Sequence, residues 1–305
     1  VRRSFAAETL YALVSLRQAI VSHADDPAAE YLKWALLATL RDVAGVKVGW
    51  PYQRPGVARK PRHTDAIKRF QVRAQFIATD LDSVASGVAK ASSAQVVTGD
   101  SRDSAAWAKL SGSGIACVSS PPYLNNFDYA DATRLELYFW GEVTTWGDMC
   151  REVRGDMVTA TTQQSSVREK SEALDVLRGR SARHPDPAEE IVGLAEEMTK
   201  AKKERQKRSK EYDQVAPAYF VAMWDILQNL HDFLGAGSRA VWLVGDSAPY
   251  GVYIDTPRLI GEMSEAVGFT FTEDVHLRAR GDRWRQNVDR HNVKLAERLI
   301  VMEKP

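Results

Sequence analysis

The chain reads as an α/β protein built on a doubly wound sheet, and three observations predict it. Residues 94–100 (AQVVTGD), 114–120 (GIACVSS) and 238–247 (SRAVWLVGDS) are short, nearly continuous apolar runs, as in strands covered on both faces. Segments with helical apolar spacing separate them. The runs end in small or polar residues, so Asp100, Ser120 and Asp246 are expected along one rim, beyond the carboxyl ends of the strands, where such sheets bind ligands.

The elements follow in order. Phe5, Leu10, Leu13, Leu16 and Ile20 predict a helix almost from the first residue. With no initiator Met ahead of it, this abrupt start predicts that a segment precedes Val1 in the natural protein. A second helix is expected over 28–43, its apolar face carrying Tyr31, Leu32, Trp34, Leu36, Leu37 and Leu40. Residues 49–63 form a Pro-rich basic loop. A third helix spans 63–89, with Ile67, Phe70, Ala74, Ile77 and Leu81 on one face. From 148 to about 212 charges crowd in, and 150–212 is expected to be a partly helical excursion from the core. The stripe Phe220, Met223, Trp224, Leu227, Leu230 and Leu234 predicts a strong amphipathic helix stopped by Gly235. Thr256 and Pro257 open the next helix as N-cap and first helical residue, and Gly268 closes it. Residues 269–279 and 296–304 read as two final strands.

Composition narrows the function classes. The chain has 305 residues, 44% of them hydrophobic and 27% charged, as in an ordinary globular protein. Net charge is +1, so a nucleic-acid surface would have to be a local patch. Cys117 and Cys150 lack metal-type spacing and fit a reducing cytoplasm. The six histidines are scattered without ligand spacing, so no metal site is expected. There is no signal peptide and no apolar run of membrane-spanning length.

The informative stretch is ACVSSPPYLNNFDY, residues 116–129. Two prolines end any strand, because they give no N–H to the ladder and fix φ. Here they follow a strand and stiffen a turn on the expected rim. Ser120-Pro121-Pro122-Tyr123 resembles the (Asp/Asn/Ser)-Pro-Pro-(Tyr/Phe) signature of the amino methyltransferases, which methylate exocyclic NH2 groups of cytosine or adenine in DNA. The residue types suit that chemistry. An aromatic amine is a poor nucleophile, since its lone pair is delocalised into the ring. A side-chain oxygen and a fixed backbone carbonyl can accept its two protons and draw it out of conjugation, and prolines hold the carbonyl still. The aromatic ring offers a stacking face for a base taken out of the duplex.

The resemblance covers roughly 94–145 and 215–304. It implies a Rossmann-like catalytic domain made of 1–149 and 213–305, with a closing helix and antiparallel strand pair, and a helical insertion at 150–212 serving as target-recognition element. It implies S-adenosylmethionine as cofactor, DNA as partner, and catalysis by Ser120, Pro121, Pro122 and Tyr123. Gly99, Asp100, Ser101 and Ser119 would approach the cofactor. The Ser form is associated mainly with cytosine N4, Asp and Asn forms with adenine N6. Asn125, Asn126, Asp128 and Tyr129 are candidates for a base pocket, although Asn-Asn after a turn is equally a helix cap. Asp103 is either a cofactor contact or a cap. Lys202, Lys203, Lys207 and Arg208, in the basic run 200–210, are candidate phosphate contacts or a solvated helix face. Arg283 and Trp284, in an Arg-rich stretch at 278–292, either touch nucleic acid or pack. One family feature is missing: the sequence holds no Phe-x-Gly-x-Gly-type loop for the methionine end of the cofactor, and the order of the remaining pieces would put it before Val1. Two alternatives stand beside the DNA enzyme, an RNA methyltransferase and a non-catalytic nucleic-acid-binding module of the same fold.

Overall fold

The computed structural model describes residues 1–45, 63–87, 94–110, 112–125, 128–161, 167–181, 183, 185–204, 211–280 and 294–305. The basic loop expected at 49–63 lies almost wholly outside them, as do Asn126, Lys207, Arg208, Arg283 and Trp284. The fold is mixed α/β. The chain forms two compact units, one from Val1–Ala94 with Tyr129–Glu152, the other from Gln95–Asp128 with Val153–Pro305. These limits differ from the expected division at 150 and 212.

The second unit holds the sheet. Strands β1 (Gly114–Ser119), β2 (Leu234–Gly245), β3 (Thr270–Arg280) and β4 (Leu295–Glu303) lie in the order β1-β2-β4-β3. β1 runs parallel to β2; β4 is antiparallel to both its neighbours. The closing antiparallel pair is as expected; among the described strands only β1 and β2 run parallel. Residues 94–100 are not a strand. Their apolar, β-branched run has strand composition, but a strand also needs a ladder partner, and Val96 stands 91% exposed.

Alternation explains which face of the sheet is covered. Ala240, Trp242 and Val244 of β2 and Ile300 and Met302 of β4 are buried. Against them pack helices α9 (Tyr212–Phe233) and α10 (Thr256–Ala266), through Met223, Leu227, Leu259, Ile260 and Met263. On the opposite face Val118, Val241 and Val301 stand in one row and Leu243, Leu299 and Val275 in the next. That face is apolar yet only partly buried, with Val118 85% exposed. The expectation of strands covered on both faces therefore fails here.

Helices α7 (Val167–Ser181) and α8 (Pro185–Lys203) make up most of the segment expected to leave the core. Instead Leu177, Ile191 and Met198 are buried in the same cluster as Tyr219 and Met223 of α9. Charges are dense there because both helices are amphipathic, with outer faces in solvent. The α10 start is corrected by one residue: Asp255 is the N-cap, its carboxylate accepting from Arg258 N at 3.2 Å, with Thr256 already helical. Gly268 closes α10 at φ +107°, a conformation that favours glycine.

The first unit is helical: α1 (Ala7–Ser22), α2 (Ala28–Val43), α3 (Ala66–Gly87), α5 (Tyr129–Trp140) and the single turn α6 (Trp146–Asp148). Phe5, Leu13, Leu36, Leu40 and Phe139 form its core. Arg17 donates to the Phe139 carbonyl at 2.8 Å, and Arg73 binds Asp42 through two bonds of 2.7 Å. A capping box between Thr145 and Asp148 holds α6. Tyr31 and Trp34, placed on the apolar face by spacing, are 47% and 57% exposed, and Ile67 and Leu81 of α3 also face solvent. Spacing locates a stripe but not how much of it a neighbour covers.

Candidate functional site

Because β1 and β2 are parallel, with Ser119 opposite Trp242, their carboxyl ends lie side by side. β1 runs out through the exposed Ser119 and Ser120 into the buried Pro121 and half-buried Pro122 and Tyr123. β2 ends in Gly245 and Asp246. The Tyr123 ring rests on Gly245, where a Cβ would come 2.9 Å from ring Cδ2 and would meet the Arg280 guanidinium as well, so only glycine fits. The Ser120 side chain is close enough to the Tyr123 phenol to act against the rise that burial imposes on its pKa. Over the ring stands Arg280, its Cζ 5.3 Å from the centroid, a cation–π contact. Burial pushes the Tyr123 pKa up and the Arg280 pKa down, each by disfavouring its charged form.

Asp246 is 2% exposed and braces this rim. One carboxylate oxygen accepts from Ala296 N at 2.9 Å and the other from the Tyr253 hydroxyl at 3.1 Å, joining the end of β2 to β4 and to the following loop. Burial raises its pKa, with those two bonds acting in the opposite direction. Two buried hydroxyls beside it have no partner among the described residues: Ser247 Oγ, and Tyr219 Oη, whose titration feels Tyr123.

Asp100 is placed differently from the expectation. Its loop is held by Asn229 of α9, which donates to the Ser101 and Arg102 carbonyls at 3.1 and 3.0 Å, and by Trp107 Nε1, which donates to Ser101 O at 2.9 Å. Asn229 lies in the last turns of α9, which lead into the start of β2 rather than its carboxyl end. Ser120 and Asp246 thus share the rim, and the contacts of Asp100 run elsewhere. Burial pushes the Asp100 pKa up, but Arg102 outweighs it, gripping both oxygens with bonds of 2.6 to 3.0 Å and holding the pKa low. Gly99 has a packing reason, since a Cβ there would come 2.7 Å from that of Ala106. Asp103 caps α4 (Ser104–Trp107) by accepting from Ala105 N at 2.9 Å.

S-adenosylmethionine therefore fits these residues only in part. The carboxylate expected to meet it is committed to Arg102, the Ser101 carbonyl is occupied, and the sequence offers no Gly-rich cradle. The turn expected to bind the amine is formed; the loop expected to approach the cofactor is held by Arg102, Trp107 and Asn229.

After Tyr123, Asn125 and Asp128 are each anchored to residues further along the chain. Asn125 has φ 59°, a left-handed conformation that Asn tolerates, and its N–H donates to Ala160 O at 2.8 Å. Asp128 is buried and bonded to Arg154 Nη2 at 3.0 Å. Arg154, itself 2% exposed, ends a π-helical segment, Met149–Arg154. Tyr129 begins α5 in the other unit and is 49% exposed. Of the basic run, Lys203 is exposed at the end of α8, but Lys202 pairs with the buried Asp213 at 2.8 Å.

Sequence reasoning missed Arg280, Gly245 and Arg154 as parts of this region. Gly245 was legible as a small residue at a strand end, but the contacts of both arginines cross long sequence separations and leave no local signal. Among the described residues no cluster of His, Cys, Asp or Glu could hold a metal ion, and no helix is long and apolar enough to cross a membrane. Comparison with protein-family models, with curated proteins and with solved structures finds no match for this chain.

Proposed function

We propose that this chain belongs to a DNA amino methyltransferase of Rossmann-like fold, transferring a methyl group from S-adenosylmethionine to an exocyclic amine, with cytosine N4 favoured over adenine N6. The observation that carries the reading is the Ser120-Pro121-Pro122-Tyr123 turn at the carboxyl end of β1, with its aromatic ring seated on the Gly245-Asp246 end of the parallel neighbour.

The chain's own residues would act on the amine. The Ser120 hydroxyl, at the exposed end of β1, accepts one N–H of the NH2 group. The Pro121 carbonyl, held by two successive fixed φ angles, accepts the second N–H. Together they turn the nitrogen lone pair out of the ring plane, which is preorganisation rather than covalent chemistry. Tyr123 supports the base. The cofactor supplies a methyl group made electrophilic by its sulfonium.

Transfer of tritiated methyl from S-adenosylmethionine to bulk DNA tests the reading. Ser120→Ala and Tyr123→Ala should each lower the rate by about a hundredfold or more, the usual cost of losing one positioned polar group, with thermal unfolding little changed. Rates like the wild type in both variants would overturn it.

A further inference from the structure

Arg280 stands at this rim over the Tyr123 ring, and the amine chemistry leaves it unused. Its guanidinium is half-buried, and loss of solvation lowers its pKa. Among the described residues its N–H donors meet no hydrogen-bond acceptor, and what it touches is the Tyr123 ring. The two carboxylates that act on it through space are already engaged. Asp246 serves Ala296 N and the Tyr253 hydroxyl, and Glu297 binds Arg278 Nε at 2.6 Å. Gly245 leaves the room that lets the guanidinium lie beside the ring. A partly desolvated fork of donors is thus held open, with Ser120 at the phenol end of the same ring and the fork over its face. What completes such a fork is a pair of adjacent acceptors on a flat group.

The two candidate bases differ in just this. Next to its amino group, cytosine carries a ring nitrogen and then a carbonyl oxygen, two neighbouring acceptors. Adenine carries one ring nitrogen and then a C–H. We propose that Arg280 is the residue that selects the base: it leaves the Tyr123 face as the base stacks there, and donates to the ring nitrogen and carbonyl oxygen of a cytosine whose amino group lies on Ser120. The proposal rests on the amino-methyltransferase reading. It adds the base and the residue that chooses it.

Arg280→Lys keeps the charge and loses the fork; Arg280→Gln loses both. Two readouts test them. The first is the ratio of N4-methylcytosine to N6-methyladenine formed in bulk DNA. The second, which needs no cofactor, is the relative affinity for oligo-dC and oligo-dA by fluorescence anisotropy. The wild type should make N4-methylcytosine and prefer oligo-dC. Both variants should lose about ten- to a hundredfold of that preference, the worth of one bidentate base contact. N6-methyladenine as the main wild-type product would overturn the proposal while leaving the transferase reading intact. Equal weakening for both bases would also overturn it, making Arg280 a backbone contact, as would an unchanged preference in both variants. No methyl transfer to either base by the wild type would overturn the transferase reading itself. Should Arg280→Gln unfold, Arg280→Lys decides by the same two ratios.

Discussion

Burial raises the pKa of the Asp246 carboxyl above the ordinary carboxylate value. It is the largest cause, and it outweighs the bonds from Ala296 N and Tyr253. Because the folded carboxyl holds its proton more tightly than the unfolded one, its contribution to stability is fully present below the ordinary carboxylate pKa. It is lost as pH rises through the raised folded value. Asp246→Asn removes the titration and keeps an oxygen for Ala296 N. The variant should therefore gain stability relative to the wild type as pH rises from the ordinary carboxylate range through the raised folded value. Urea midpoints measured across that range check this, and a difference that stays constant with pH would show an ordinary carboxylate. Neither this burial nor the Arg280 contact could be read from the sequence. Asp246 reads there as one more polar strand tip, and Arg280 as one arginine among several in a basic stretch.

Between elements, the Asp128–Arg154 pair is the most consequential contact. Asp128 is the last residue of its unit before the chain departs into α5, and Arg154 follows directly after the chain returns. Their 3.0 Å bond, with side chains 7% and 2% exposed, ties the point where the chain leaves this unit to the point where it returns. Breaking a buried ion pair by removing one partner is strongly destabilising, so Arg154→Met should cost about 3–5 kcal/mol in denaturant titrations. The double variant Asp128→Leu with Arg154→Met should recover much of it. A cost below about 1 kcal/mol, the range of surface pairs, would mean that solvent reaches the pair. Elements themselves were largely legible. The spans of α1, α2, α3 and α9, β1, and the β3–β4 pair follow from apolar spacing, which records the faces a segment must bury. The strand expected at 94–100 failed because an apolar run says nothing about whether a ladder partner exists. The π-helical segment before Val153 has no periodic signature, and the place of α7 and α8 in the core was hidden by charges on their outer faces.

At the scale of the whole molecule, the net charge of +1 leaves association with DNA to local cations. The basic run cannot act as one block. Lys202 is spent on Asp213, while Lys200 and Lys203 face solvent. If these two touch phosphates, Lys200→Gln with Lys203→Gln should flatten the plot of log affinity against log salt by about 0.9 for each phosphate no longer neutralised, equally for any DNA sequence. Lys202→Gln should leave that slope unchanged and lower stability instead. A slope unaffected by the double variant would assign the described part of the run to solvation. Charge patterning along the sequence could not separate these lysines, because the buried Asp213 that claims one of them lies past the end of the run.

The outer side of β1 has consequences at the bench. Ile115 and Val118, 88% and 85% exposed, belong to a strand whose far edge carries no ladder partner among the described residues. An open edge of this kind is a template for adding another chain, with oily side chains to reward the addition. Copies of the chain are expected to add at this edge as concentration rises. Ile115→Lys should then lower the turbidity that develops on concentrating, and equal turbidity in the variant would place association elsewhere.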